Sequence, residues 1–357
     1  MIQPVKALLV AVASAALAGC GSDSTGPTPA GRTLSISASP RQIPPPASAD
    51  FFAAFDLAYG AGARGQLITA TWKDLEPTSG ALNVSSLVRQ LDYVPGRMPT
   101  IYVGVQLVNT VAKEVPADLA DTAFDAPVMR ARFHILIDRI AGAMPVPITY
   151  LSIGNEVDGY LQATNQWTQY QSFYEDALDY AHTKIPGVRV GVTAGYDGLV
   201  GASRAQMATL NTRSDVVMLT YYPIGDGFAV GPPTIARTAF PAMLAAANGK
   251  PVVIQELGYP ASPLLGSSDA MQAKFFADAI DQWSKIDGVQ MPYVNLFLLH
   301  DFTDEQCHAF GDYYGIPDNA YFQAYLCTLG LRHADGTPRP AWQAVLTAAR
   351  EAGLPTQ

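Results

Sequence analysis

The sequence of 357 residues holds only three cysteines, and it contains no His-Glu-x-x-His, no Cys-x-x-Cys and no spaced Asp/Gly calcium loop. Zinc-peptidase chemistry, structural zinc and EF-hand-type calcium binding therefore lack their ligand patterns. Clusters of basic residues are also missing, with 22 Lys and Arg against 31 Asp and Glu and a formal net charge of −9. That balance excludes a nucleic-acid partner and an anionic lipid surface, both of which require concentrated positive charge. No apolar run is long enough to cross roughly 30 Å of hydrocarbon. Charged residues make up only 15% of the chain and hydrophobic ones 49%, the composition of a large globular core.

At the N-terminus, MIQPVKALLVAVASAALAGC places Lys6 before a short apolar run that ends in Leu17-Ala18-Gly19-Cys20. This is the pattern of a secretory signal, and its last four residues resemble a bacterial lipobox. The expectation is a signal peptide over residues 1–19, lipidation of Cys20 and a Gly/Ser/Pro/Thr tether through residue 32. With Gly21 following, the protein is expected in the cell envelope at the outer membrane or surface, touching a membrane only through the anchor. Export also decides how the other two thiols are read: Cys307 and Cys327 lie in an oxidising compartment, where they are expected to form one disulfide.

The remainder, residues 33–357, alternates β-branched apolar runs with segments whose apolar positions are spaced three and four apart. Strands are predicted at 33–37, 66–71, 100–107, 148–153, 189–193, 216–221, 251–255 and 293–299. Helical patterns begin near Asp50, Pro127, Trp167, Ala202, Asp269 and Pro340. Eight strand–helix units with no second block of a different pattern predict a single (β/α)₈ TIM barrel, expected as a monomer. A doubly wound sheet would normally carry a Gly-rich turn after its first strand, and none is present.

In such a barrel the active site lies at the C-terminal ends of the strands. Strand four runs Leu151-Ser-Ile-Gly-Asn155-Glu156, and strand seven runs Val252-Val-Ile-Gln-Glu256. Two apolar strands each delivering a Glu to the same mouth point to paired-carboxylate chemistry, in which one group acts as acid and then base while the other acts as nucleophile. Aromatic residues near other strand ends are candidate sugar platforms, among them Trp72, Tyr196 and Tyr222, with Tyr160, Trp167, Phe228 and Tyr259 beside them. His300 is a candidate partner for a substrate hydroxyl.

Gly154-Asn155-Glu156 after strand four, Gln255-Glu256 after strand seven and Asp215-VVMLTYYP223 at strand six resemble glycoside hydrolase clan A, the retaining (β/α)₈ enzymes. The resemblance covers roughly residues 33–354 and is to the clan, with a weaker similarity to endo-β-galactanases at strand six. It implies Glu156 as general acid/base, Glu256 as nucleophile, Asn155 as a partner of the sugar 2-hydroxyl and Tyr222 as a donor to the nucleophile. It also implies that no metal or organic cofactor is required. Trp72-Lys-Asp-Leu-Glu-Pro77 is similar to a segment after strand two of β-galactosidase-like members. Two clan features are missing, an Arg near the end of strand two and a Trp at the end of strand eight; Lys73 and Phe297 stand in those regions.

The expected function is hydrolysis of a β-linked galactan, mannan or glucan, endo-acting, with Glu156 kept protonated by burial and by the charge of Glu256. A surface-tethered glycan-binding protein with a degenerate barrel is the alternative. A Schiff-base enzyme would need Lys73, the one lysine near a predicted strand end.

Overall fold

A computed structural model describes residues 31–92 and 96–357. The proposed signal peptide, Cys20 and most of the tether lie outside the described residues. Eight parallel strands form at the predicted places: β1 Thr33–Ile36, β2 Gly65–Thr71, β3 Thr100–Asn109, β4 Tyr150–Asn155, β5 in two pieces (Arg189–Gly191 and Thr193–Gly195), β6 Val217–Tyr221, β7 Val252–Leu257 and β8 Tyr293–Leu296. The first piece of β5 pairs with β4 and the second with β6, while β8 pairs with β1. The ring is therefore closed, and the chain is a (β/α)₈ TIM barrel.

The near-continuous apolar character of the strands follows from burial on both faces. Every residue of β4 and of β6 is buried, since helices cover the outside and side chains fill the inside. The surrounding helices start and stop on local signals. Pro127 and Pro340 open two of them at the first turn, where no N–H is needed, and the Ser268 hydroxyl caps a third by accepting the Met271 N–H. That third helix, Asp269–Lys285, buries Phe275, Phe276 and Trp283.

The barrel interior is stratified. Its lower layer is aromatic: Tyr102 stacks on Tyr293 at 5.8 Å between ring centres, and Tyr150 packs on Tyr293 at 5.6 Å. Gly65 makes room for this layer, because a Cβ there would sit 2.6 Å from the Tyr293 ring. Above it lies a polar layer of Ser152, Thr193 and Gln255, in which the Tyr102 hydroxyl donates to Gln255 Oε1 at 2.8 Å. The two glutamates project from the top of that layer.

One region departs from a plain barrel. Between β8 and the last helix, Pro340–Glu351, the chain makes an excursion with two helices, Asp304–Tyr313 and Ala320–Leu326. A disulfide joins Cys307 to Cys327 across it, with 6.0 Å between Cα atoms. This lobe has its own apolar cluster of Leu298, Phe322, Leu326 and Leu329.

Candidate active site

Glu156 reaches the mouth through an unusual piece of backbone. Gly154 has φ +97°, and a Cβ there would fall 2.4 Å from the Tyr170 hydroxyl, so only glycine fits. Glu156 itself lies in the left-handed region at φ 45°, ψ 47°, immediately before the helix Val157–Thr164. Thr110, just past β3, shares this conformation at φ 50°. Non-glycine residues held there store local strain of roughly 1–2 kcal/mol each. The contact that accompanies it is direct: the Thr110 hydroxyl donates to Glu156 Oε2 at 2.7 Å, and the Thr220 hydroxyl donates to Oε1 at 2.5 Å.

Glu256 lies within β7, where the pairing with both neighbouring strands shifts register, and is bound differently. Tyr222 donates its phenol hydrogen to Glu256 Oε2 at 2.5 Å, and Gln255 Nε2 donates to Oε1 at 3.2 Å. The Gln255 carbonyl oxygen accepts from Tyr102 and from Thr193 at 2.8 and 2.7 Å, which fixes its amide nitrogen toward Glu256 and toward Asn155 Oδ1, 2.6 Å away. The amide donor beside Tyr222 is thus Gln255. Thr220 pairs with Glu256 across the β6–β7 ladder while its hydroxyl holds Glu156, so one residue links both carboxylates.

Burial first, and the charge of Glu156 second, push the Glu256 carboxyl up to about 7, against the lowering pull of Tyr222 and Gln255. Glu256 is half-buried, and its carboxyl is closely surrounded by protein. Burial thus raises the carboxyl of Glu256, which stands within β7, while Glu156 stands on the turn after β4. Tyr222 is pushed well above its ordinary value by burial and by Glu256, which keeps it a donor. A third acid, Asp158, accepts the Gly195 N–H at 2.7 Å and is pushed up to about 6, mainly by burial.

A cleft of about 380 Å³ opens beside these groups. Thr110, Glu156, Asp158, Tyr196 and Thr220 form its polar side, and Tyr222, Phe228, Tyr314, Phe322 and Tyr325 its aromatic side. None of its lining side chains is basic. Tyr196 and Tyr222 thus stand where the sequence placed them, at the cleft. Asn155 lies beneath it, one N–H donated to Asn109 Oδ1 at 2.9 Å and its carbonyl taken by Gln255.

Trp72 and His300 do not reach the cleft. Trp72 is wholly buried against Phe133, and its indole N–H donates to Glu76 Oε2 at 2.9 Å. Glu76 also receives the Gly80 N–H and the Arg132 guanidinium, so this segment is a structural knot rather than a sugar platform. His300 is held by the Ser39 carbonyl at Nδ1, 2.7 Å, and accepts from Arg332 at Nε2, 3.2 Å, with no ring nitrogen left for a substrate. Tyr259 is likewise buried, stacked on Phe275. Lys73 forms an ion pair with the buried carboxylate of Glu114.

Several residues of the site carried no local signal. Thr110 and Thr220 act through strand register, and Tyr314 and Tyr325 arrive from the lobe after β8. Tyr222-Pro223 was visible because a tyrosine closes an apolar strand there.

Fold and site together define a class, a closed (β/α)₈ barrel with carboxylates at the ends of β4 and β7. No protein-family model matches the chain, and no curated protein matches it in sequence. Among solved structures it is similar to a GH5_18 protein from Streptomyces cattleya in complex with GlcNAc, at 17% identity and a TM-score of 0.71 over 91% of this chain and 81% of that one. A GH5_18 variant from Bifidobacterium longum subsp. longum in complex with Manβ1-4GlcNAc is similar at 17% identity and TM-score 0.68, covering 91% and 80%. An exo-β-1,4-mannosidase from Opitutaceae bacterium strain TAV5 is similar at 16% identity and TM-score 0.67, covering 90% of this chain and 59% of that one. At these identities the likeness is one of fold.

Proposed function

We propose that the protein is a retaining β-glycoside hydrolase with Glu156 as general acid/base and Glu256 as nucleophile. The observation that carries this reading is the chemistry of the partners. Glu156 is held by two threonine hydroxyls, which can donate to a carboxylate or turn and accept from a carboxylic acid, so both of its protonation states are hydrogen-bonded. Glu256 is held by an amide N–H that only donates and by a phenol kept protonated, an environment that favours the carboxylate against its burial. A group that must gain and lose a proton in each cycle suits the first setting, and a nucleophile suits the second.

In the first step a Glu256 oxygen bonds the anomeric carbon while the glycosidic C–O bond breaks and Glu156 gives its proton to the departing oxygen. The charge of Glu256 is then neutralised in the glycosyl ester, which favours ionised Glu156 as the base that takes a proton from water. Water attacks the anomeric carbon and releases Glu256. Asn155, with one N–H left after its bond to Asn109, is the proposed partner of the 2-hydroxyl.

The substrate class is a β-linked galactan, mannan or glucan or its oligosaccharides, with Manβ1-4GlcNAc included because a structure of similar fold binds it. An acidic cleft without basic residues fits such uncharged glycans. The location proposed with it is the bacterial envelope, anchored through Cys20. Hydrolysis of a panel of these glycosides, followed by proton NMR of the first product formed, tests the mechanism. A β-anomer is expected, and an initial α-anomer would remove the two-glutamate retaining assignment. Binding of the glycans without turnover would leave the glycan-binding alternative.

A further inference from the structure

The lobe after β8 is fastened along one whole side of the barrel mouth. Gln306 donates to Gln42 Oε1 in the segment after β1 at 3.1 Å, Tyr313 donates to the Asn109 carbonyl at the end of β3 at 3.0 Å, and Tyr314 donates to Thr110 at 3.4 Å. On its other flank Phe322 and Tyr325 pack on Phe228 from the segment after β6, at 5.9 and 5.7 Å between ring centres. The opposite rim, after β4 and β5, is open: Gly159 and Asp197 line the cleft and are exposed.

Tyr325 stands at the inner end of this wall. Its ring meets Tyr222, the donor to Glu256, edge-on at 5.5 Å, and it lines the same cleft as Glu156. Its phenol has no hydrogen-bond partner among the described residues, whereas Tyr222, Tyr313 and Tyr314 all do. Burial, then the charges of both glutamates, push that phenol well above its ordinary value, so it stays a protonated donor. The leaving group has to depart past Glu156, whose backbone leads directly into the open rim carrying Asp158 and Gly159. The sugar attacked by Glu256 then lies on the other side, against the wall.

We propose that the disulfide-stapled lobe makes the sugar-binding end of the cleft blind, with Tyr325 donating to a hydroxyl of the terminal sugar, so that the protein removes single residues from the non-reducing ends of β-linked glycans. This rests on the hydrolase reading above and replaces the endo-action expected from sequence. It also gives the lobe a task that the chemistry of the two glutamates leaves unassigned.

The test uses β-linked manno-, gluco- and galacto-oligosaccharides carrying a fluorescent label at the reducing end, together with their parent polysaccharides. Labelled products shortened one residue at a time, monosaccharide from the first turnovers and unchanged polysaccharide viscosity are expected. Early internal fragments with falling viscosity would overturn the blind cleft while leaving the hydrolase reading intact; failure to cleave any β-glycoside, aryl glycosides included, would instead overturn the hydrolase reading itself. Tyr325→Phe, with folding checked by thermal unfolding, is expected to lower kcat/KM on the oligosaccharides by roughly 10- to 100-fold, the loss of one hydrogen bond to substrate. A terminal sugar lacking the contacted hydroxyl should show that loss with the native protein and no further loss with the variant. A Tyr325→Phe variant within twofold of native on every oligosaccharide would remove Tyr325 as a sugar contact.

Discussion

The ends of β4 and β7 carry the same side chain, and almost nothing else about them is alike. Glu156 stands on a strained turn with rotatable hydroxyls at both oxygens, partly open to the cleft. Glu256 stands inside β7 with fixed donors, one of them locked by two bonds to its own carbonyl. A proton shuttle needs partners that can reverse direction, and a nucleophile needs partners that cannot. The difference lies in the neighbours, so identical residues at equivalent strand ends acquire different chemistry.

The strongest way to break that comparison is to exchange the roles. Glu256→Ala should lower kcat by about 10⁴-fold or more. Added azide should restore turnover by a single displacement and yield the α-glycosyl azide. Glu156→Ala should keep its first step with activated aryl glycosides and, with azide, yield the β-glycosyl azide. If the two azide products are reversed, the assignments of Glu156 and Glu256 are reversed as well.

A smaller effect is expected at the clamp. Thr110→Val and Thr220→Val each remove one hydroxyl from Glu156 while keeping its shape, and each should cost roughly 10-fold in kcat/KM. Both variants within twofold of native in kcat/KM would sink the idea that these hydroxyls serve the proton cycle.

The acidic limb belongs to Glu256. With its carboxyl lifted to about 7, the nucleophile of the free protein is lost as pH falls, so kcat/KM should decline below about pH 7. Tyr222→Phe removes a bond that lowers this value, and the limb should shift upward. A downward shift would mean that the phenol does not hold the ionised form.

Much of this was legible in the sequence, and the rest was hidden for definable reasons. Most strands showed as β-branched runs, because burial on both faces leaves no polar alternation to obscure them, whereas the first, Thr33–Ile36, is short and partly polar. Both glutamates stood out because a carboxylate at the end of such a run has nowhere to go but the mouth. The Thr220–Glu156 contact, by contrast, joins residues 64 positions apart through strand register, which no local pattern records. The lobe was invisible because its helices, of 10 and 7 residues, make sense only once stapled and packed. Trp72 misled because its partner, Glu76, lies one helical turn on and its second anchor, Arg132, lies 56 residues beyond Glu76.

The smallest effect concerns stability, and it tests the same asymmetry without substrate. A carboxyl whose folded-state value of about 7 exceeds its ordinary 4.5 binds its proton more tightly in the folded protein. Its favourable contribution is complete below about pH 4.5 and is lost as pH rises through about 7. Above that, the folded protein carries the penalty of a buried charge beside Glu156. Glu256→Gln removes the charge and keeps the shape, so at pH 8 the variant should unfold at higher temperature, by on the order of 2 kcal/mol in stability. At pH 4 the two proteins should unfold together. Glu156→Gln also removes one partner of the repulsion, so it should relieve part of the penalty on Glu256 while giving up the ionised acceptor for Thr110 and Thr220. Its net gain at pH 8 should therefore be smaller than that of Glu256→Gln. Equal gains from both substitutions would place the two carboxylates in equivalent settings and remove the basis on which their roles are distinguished.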